Sequence, residues 1–232
     1  EQKAGIFKPG RTAVVGPLPN AALLICRERA KSLGIDLHEY GKEFSFNNKT
    51  FQSGRIHLSD IELGLAGTFQ EENAGIALEV FFLFMEQQSW LVDLYLVREA
   101  LAQTRWAGRL ERICDGVYLD GAHNLPAVER LVEFIKLQED RKIVILFGAL
   151  KRKDYSDMLS YLQRELPQAD LFLTSFSYGE SVSEKEAGEI AYVSDFQTFI
   201  DGHLLKKDEQ QLLFITGSLY FVAEVRQFLK SR

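Results

Sequence analysis

The residues that could carry chemistry stand together just after a short apolar run. Asp120, His123 and Asn124 follow residues 117–119 in the stretch "YLDGAHNLPAVERL", residues 118–131. In open α/β sheets ligands collect beyond the carboxyl ends of strands, so an acid and an imidazole there favour a site. The alternative is local structure, because Asn124 before Pro126 is a common helix start and a lone histidine is more often structural.

Other polar residues are candidates by position. Residues 148–153 ("GALKRK") and Gly217-Ser218 follow two further apolar runs, although Ser218 could simply cap a helix. Arg109 follows Gly108 at a predicted domain junction, where a guanidinium could clamp a phosphate; the alternative is a surface ion pair. Lys3 by default is a solvated lysine, and Asn73 a polar residue early in a helix.

Composition and missing motifs exclude several classes of protein. The chain is 46% apolar and 26% charged with a net charge of −6, which argues against a nucleic-acid-binding surface. The unpatterned Cys26 and Cys114 argue against a disulfide framework or structural zinc and fit a reducing cytosol. No signal peptide or membrane-length apolar run is present. GxxxxGK[ST], GxGxxG, GxSxG and HExxH are all absent.

The elements that must position these residues form two parts, with a boundary near 107. After it, apolar runs alternate with helical stretches, which predicts βαβ units and a mainly parallel sheet. The predicted strands are 117–119, 143–147, 170–174 and 212–216, and the predicted helices are 125–137, 154–166, 184–190, 195–206 and 218–230.

In the first part, the sequence pattern predicts a strand at 11–16, a helix at 20–34, an antiparallel meander over 36–64 and two helices at 69–88 and 92–103. These elements alone make a poor core. We therefore expect this part to be the end of a longer domain.

Six segments in order carry a family resemblance: "EQKAGIFKPG", "FQEENAGIAL", "VREALAQTRWAGRLER", "YLDGAHNLPAVERL", "KRKDYSDM" and "FITGSLYFVAEVR". They resemble the later part of folylpolyglutamate synthase / dihydrofolate synthase, ATP-dependent amide ligases related to the Mur ligases of cell-wall synthesis. The resemblance covers essentially the whole chain.

The resemblance implies an α/β fold. Residues 107–232 would be a Rossmann-like C-terminal domain with a mainly parallel sheet, and residues 1–106 the C-terminal portion of the central ATPase domain, with helices and a small antiparallel meander. The phosphate loop, the folate-binding loop and the usual magnesium ligands would lie upstream. The chain as given is therefore expected to be an inactive fragment.

The resemblance also implies the chemistry. ATP would phosphorylate a carboxylate of folate or dihydropteroate, and the amine of L-glutamate would attack the acyl phosphate. Its implied cofactors are ATP and Mg²⁺, with a monovalent cation such as K⁺ as a further candidate. We expect a cytoplasmic monomer that contacts neither nucleic acid nor membrane.

Site residues follow residue by residue from the same resemblance. Asn73, Arg109 and Asp120 match nucleotide-contacting positions. His123 and Ser218 match the glutamate side of the site, with His123 as the catalytic candidate. Lys3 matches a carbamylated lysine, whose carboxylate would suit magnesium. Two alternatives stay open: a Mur-type peptide ligase of cell-wall precursor synthesis, and a non-catalytic nucleotide- or protein-binding module.

Overall fold

The computed structural model describes residues 2–54, 56–138, 140–151, 155–206, 208 and 210–231. The chain divides into two compact units. The N-terminal unit comprises residues 1–64 and 68–104, and the C-terminal unit comprises residues 65–67 and 105–232. Across the described residues, no helix has both the length and the apolar character needed to span a membrane.

The C-terminal unit is built on a six-stranded sheet. Its strands are β6 (Glu111–Cys114), β7 (Val117–Leu119), β8 (Lys142–Phe147), β9 (Asp170–Thr174), β10 (Ala191–Val193) and β11 (Gln211–Thr216). Their spatial order is β10-β9-β8-β11-β7-β6, and every neighbouring pair is parallel except β6 with β7. The predicted mainly parallel α/β sheet is confirmed.

Helices cover both faces of this sheet. They are α4 (Leu125–Lys136), α5 (Tyr155–Glu165), α6 (Phe196–Lys206) and α7 (Leu219–Lys230). Alternate residues of a strand point to opposite faces. Leu119 and Ile215 pack with α6 and α7, whereas Tyr118 and Phe214 contact Phe134 of α4. Because α4 and α5 pack against each other, they share the second face.

The last strand in the sequence occupies the middle of the sheet. β11 inserts between β7 and β8, and its register aligns Ile215 with Leu119 on one side and with Leu146 on the other. The chain leaves β11 toward the α7 face but leaves both neighbouring strands toward the α4–α5 face. Such a reversal opens a crevice at the carboxyl ends of the strands.

Three features of this unit differ from the sequence prediction. The predicted helix at 184–190 is only a 3-10 turn at Glu184–Glu186, closed by the carboxylate of Glu186 on the Ser183 N–H and hydroxyl. Strand β10 follows it and was not predicted, because three residues are too few to show a period of two. Strand β6 was not predicted either. It is an irregular antiparallel edge with a bulge between Arg112 and Cys114.

The N-terminal unit combines two small sheets with three helices. The elements, in order, are β1 (Ala13–Val15), α1 (Asn20–Leu33), β2 (Leu37–Glu39), β3 (Phe44–Asn47), β4 (Thr50–Ser53), β5 (Ile56–Leu58), α2 (Phe69–Gln87) and α3 (Leu94–Gln103). Strands β3, β4 and β5 form the predicted antiparallel meander. Its buried Phe44, Phe46 and Phe51 pack against Leu78 and Phe82 of α2.

The prediction for residues 37–39 was wrong. They were assigned to the antiparallel meander, but β2 pairs in parallel with β1, with Val14 opposite His38. A helix between two strands makes the crossover that parallel pairing needs, and α1 supplies it here. The hairpin between β3 and β4 turns at Asn48 and Lys49, both with positive φ, as a two-residue hairpin turn requires.

Gly217, directly after β11, allows two backbone segments to approach closely at the centre of the sheet edge. Its φ is +109°, and a Cβ atom there would lie 2.6 Å from the Gly148 carbonyl oxygen, a backbone atom that cannot turn aside. Gly217→Ala should therefore lower the free energy of unfolding by about 2 kcal/mol or more, from backbone strain and overpacking together. Urea unfolding monitored by circular dichroism measures this loss.

Gly202→Ala in α6 is the matched control, because a Cβ atom there meets nothing within 4 Å. It should be neutral or stabilise by up to about 1 kcal/mol, since alanine favours helix. Equal effects of the two substitutions would contradict the close approach at Gly217.

Candidate active-site edge of the C-terminal unit

Three segments run side by side where β7, β11 and β8 end. The Asp120 N–H donates to the Ile215 carbonyl at 3.0 Å, and the Gly148 N–H donates to the Thr216 carbonyl at 2.9 Å. Beyond the strands, the Gly217 N–H donates to the Ala122 carbonyl at 3.1 Å. The polar residues after β7 and β11 are therefore brought to one edge, as predicted from their positions after strands.

A fourth segment, the loop 106–110, joins this edge and carries Arg109. The Gly121 N–H donates to the Gly108 carbonyl at 2.7 Å, and the Leu110 N–H donates to Asp120 Oδ2 at 2.9 Å. The Arg109 side chain is exposed, and within the described ranges no hydrogen bond or ion pair engages its guanidinium. The surface ion pair considered for this arginine is therefore not formed there.

The carboxylate of Asp120 mainly accepts hydrogen bonds from backbone N–H groups. Its second oxygen, Oδ1, accepts from the Ala122 N–H at 2.9 Å. Burial raises the pKa of the Asp120 carboxyl, and the N–H groups of Leu110 and Ala122, then the charges of Arg109 and His123, oppose that shift. Each carboxylate oxygen keeps a lone pair, so the group can still accept from a ligand.

His123 has a defined proton arrangement. Its Nδ1 lies 2.8 Å from the Gly121 carbonyl oxygen. A carbonyl only accepts, so Nδ1 carries a hydrogen, and Nε2 is the ring nitrogen that accepts whenever the ring holds a single proton. Asn124 makes the predicted cap, with its Oδ1 accepting from the Ala127 N–H at 3.0 Å and a proline in the first turn of α4. Because Asn124 caps the helix, the His123 side chain is not needed as a cap.

Ser218 does not make the cap bond that was considered for it. It precedes α7, but its hydroxyl is fully buried and has no hydrogen-bond partner. The Thr216 hydroxyl two residues earlier is equally buried and equally unpaired. Buried hydroxyls normally have a hydrogen-bond partner, so two without one at the same sheet edge are an exception that a bound water or ligand would explain. Thr216 was missed from sequence; its signal is an apolar strand that ends in a hydroxyl residue, with a second hydroxyl residue after the next glycine.

The other two predicted site residues lie in the N-terminal unit. Lys3 is exposed in a 3-10 helix at Gln2–Ile6. Asn73 is on the exposed face of α2, and its amide nitrogen donates to Oε1 of the buried Gln70 at 2.9 Å. Arg152 and Lys153, named above with the segment after β8, lie outside the described residues.

No metal centre is assembled in the part of the chain that the structure describes, since no three His, Cys, Asp or Glu side chains cluster there. Magnesium prefers several oxygen ligands. The side chains of the described residues do not supply such a set.

Comparisons with known proteins find similarity that includes this edge. A family model described as "Mur ligase, glutamate ligase domain" matches residues 108–219. The chain is 30% identical to a folylpolyglutamate synthase of Lacticaseibacillus casei, over 99% of this chain and 56% of that protein. It is 32% identical to a dihydrofolate synthase/folylpolyglutamate synthase of Bacillus subtilis, over 99% and 57%.

Over almost its whole length, the chain is similar to part of each of these two synthases. It spans little more than half of the length of these relatives. The apo form of the L. casei folylpolyglutamate synthase has a TM-score of 0.83 at 26% identity, over 98% of this chain and 55% of that one. A folylpolyglutamate synthase complex with AMPPCP and folate gives 0.80 at 26% identity, with the same coverage.

Asp120 yields a prediction on how the stability of this protein depends on pH. Because the folded-state pKa lies above the ordinary value of 3.8, folding holds the proton more tightly. The resulting stabilisation is complete below that value and is lost as pH rises through the folded-state pKa. The unfolding free energy of the wild type, relative to Asp120→Asn, should therefore fall as pH rises above the ordinary value of 3.8.

Asp195→Asn provides the control with the opposite sign. The Thr198 hydroxyl and N–H lower the pKa of Asp195, so its contribution is lost as pH falls, not as it rises. Chemical unfolding across the pH range measures both differences. A wild-type-minus-Asp120→Asn difference that stays constant would show that burial does not dominate at Asp120.

Proposed function

We propose that this chain is the C-terminal part of an ATP-dependent ligase that adds L-glutamate to reduced folates, and that can also convert dihydropteroate to dihydrofolate. Residues 1–106 would then be the end of the ATPase domain and residues 107–232 the C-terminal ligase domain. The observation that carries the proposal is the unpaired Arg109, presented at the sheet edge by a loop that Asp120 holds beside His123.

The N-terminal unit has features that support its assignment to a larger domain. Strand β1 pairs with β2 alone among the described strands, although parallel sheets are usually larger and covered on both faces. Val80 and Phe84 of α2 are exposed, as are Leu91 and Leu96 nearby. A surface this apolar is normally covered by other protein.

Each residue of the edge has a physical task in this reaction. Transfer of the ATP γ-phosphoryl group to the substrate carboxylate spreads negative charge over phosphate oxygens, and the Arg109 guanidinium can stabilise that charge with a paired set of N–H donors. Asp120 keeps the Arg109 loop in place and retains lone pairs for a nucleotide hydroxyl. Asn73 would contact the base.

The incoming amino acid is assigned to the other side of the edge. The glutamate amine forms the new C–N bond as phosphate leaves, and it must lose a proton. His123, with Nε2 free to accept, is suited to take that proton or to orient the amine. The Ser218 hydroxyl can donate to a glutamate carboxylate. A carbamylated Lys3 would hold Mg²⁺ together with ligands from elsewhere in the protein. Bound Mg²⁺ would offset the charge of the phosphates. K⁺ is a further candidate ion.

Glutamate ligation by the full-length protein tests the proposal. Incorporation of labelled L-glutamate should require ATP, Mg²⁺ and tetrahydrofolate or dihydropteroate, and Arg109→Ala should lower the rate about 100-fold while unfolding stays cooperative. Arg164→Ala, another exposed arginine of the same unit, should leave the rate unchanged. No incorporation with any reduced folate or with dihydropteroate would refute the function; turnover of a cell-wall peptide precursor instead would identify a Mur-type peptide ligase.

ATP binding by the 232-residue chain is expected to be weak. A glycine-rich phosphate loop supplies much of the grip on a nucleotide through backbone N–H groups, and this sequence contains no GxxxxGK[ST] motif. Isothermal titration calorimetry should therefore detect no binding tighter than about 100 μM, an order-of-magnitude threshold. Affinity near 1 μM would instead favour a self-sufficient nucleotide-binding module.

A further inference from the structure

The loop that carries Arg109 is also held from its far side by an ion pair. Arg226 of α7 donates through Nε to both carboxylate oxygens of Glu111 in β6, at 2.9 Å each. Glu111 Oε2 in turn accepts from the Gly108 N–H at 2.8 Å. The pair therefore connects the helix after β11 to the residue before Arg109.

Arg109 thus stands between two fixed backbone positions. On one side, Gly108 is held by Glu111 through its N–H and by Gly121 through its carbonyl; on the other, the Leu110 N–H is held by Asp120. Leu110 has a φ of +44°, a left-handed conformation that is strained for a non-glycine residue. Such a conformation persists only where neighbouring contacts enforce it.

We propose that Glu111 and Arg226 are positioning residues that hold the Arg109 loop in the orientation needed for phosphate contact. The inference rests on the proposed function, in which Arg109 acts on ATP. Both side chains are partly exposed, 20% for Glu111 and 31% for Arg226. A partly exposed pair contributes little to folding stability, whereas a displacement of about 1 Å in a charge-stabilising group can reduce a rate about 100-fold.

Sequence reasoning could not have found this pair. Glu111 follows Arg109 by two residues, but its partner Arg226 is 115 positions further along the chain. Only the packing of α7 beside the edge strand β6 brings the two together. In isolation each residue looks like an ordinary surface charge.

Kinetics of the full-length protein test the inference. Glu111→Ala and Arg226→Ala should each lower kcat/KM for ATP about tenfold, with the KM for glutamate changed less than about twofold and the thermal midpoint less than about 3 °C. Glu111→Gln keeps an acceptor for the Gly108 N–H and should recover activity to within about threefold of wild type. Arg112→Ala, which removes an exposed ion pair between β6 and Asp115 directly after it, is the control and should have no effect.

A double-substitution cycle separates positioning from general destabilisation. In an Arg109→Ala background, Glu111→Ala should cause no further loss of kcat/KM, because the group that it positions is already gone. An equal loss in both backgrounds, or a loss that follows the thermal midpoint, would overturn the inference.

Hydrogen exchange on the 232-residue chain keeps the test independent of ligase activity. Glu111→Ala should speed exchange of the Gly108 and Leu110 amides about tenfold or more, with amides of β8 unchanged. Unchanged exchange at both loop amides would overturn the inference even if the ligase assay succeeds. If the wild-type full-length protein shows no ligase activity, the proposed function fails while exchange still decides whether the pair holds the loop.

Discussion

The insertion of β11 between β7 and β8 is the constraint on which the rest of the C-terminal unit depends. It reverses the direction in which the chain leaves the sheet, so that α7 covers one face while α4 and α5 cover the other. This arrangement aligns the ends of three strands and forces Gly217 against the Gly148 carbonyl. A side chain at that point would separate the strands whose ends carry the polar residues.

The carboxylates at this edge act mainly on the backbone. Asp120 holds the N–H groups of Leu110 and Ala122, and Glu111 holds that of Gly108. Arg109 is left as the cation whose guanidinium no described partner engages. The two carboxylates are thus engaged by backbone N–H groups of the loop, whereas the Arg109 guanidinium has no described partner. A free cation of this kind could stabilise negative charge on a phosphate. Burial raises the pKa of Asp120, so the charge on this carboxyl group, and with it the hold on the loop, depends on pH.

Similarity to folylpolyglutamate synthases and the local geometry lead to the same edge by separate routes. The match to the glutamate ligase domain begins at Gly108 and ends at Leu219, and so includes Arg109 and the segments that follow β7, β8 and β11 at this edge. The geometry adds what similarity cannot supply: the proton position on His123, the unpaired hydroxyls of Thr216 and Ser218, and the pair of Glu111 with Arg226. Those details distinguish the polar atoms of the edge that have a described partner from those that have none.

Sequence alone determined the long periodic elements and the residues at strand ends, because apolar runs, glycines and helix caps are local signals. It therefore predicted β7, β8, β9, β11 and the Asn124 cap, and it singled out Asp120 and His123. The parallel pairing of β2, the edge strand β6 and the position of β11 were decided by tertiary structure. Pairing partners, and contacts such as Glu111 with Arg226, join residues far apart in the chain, and no local spacing encodes a distance in space.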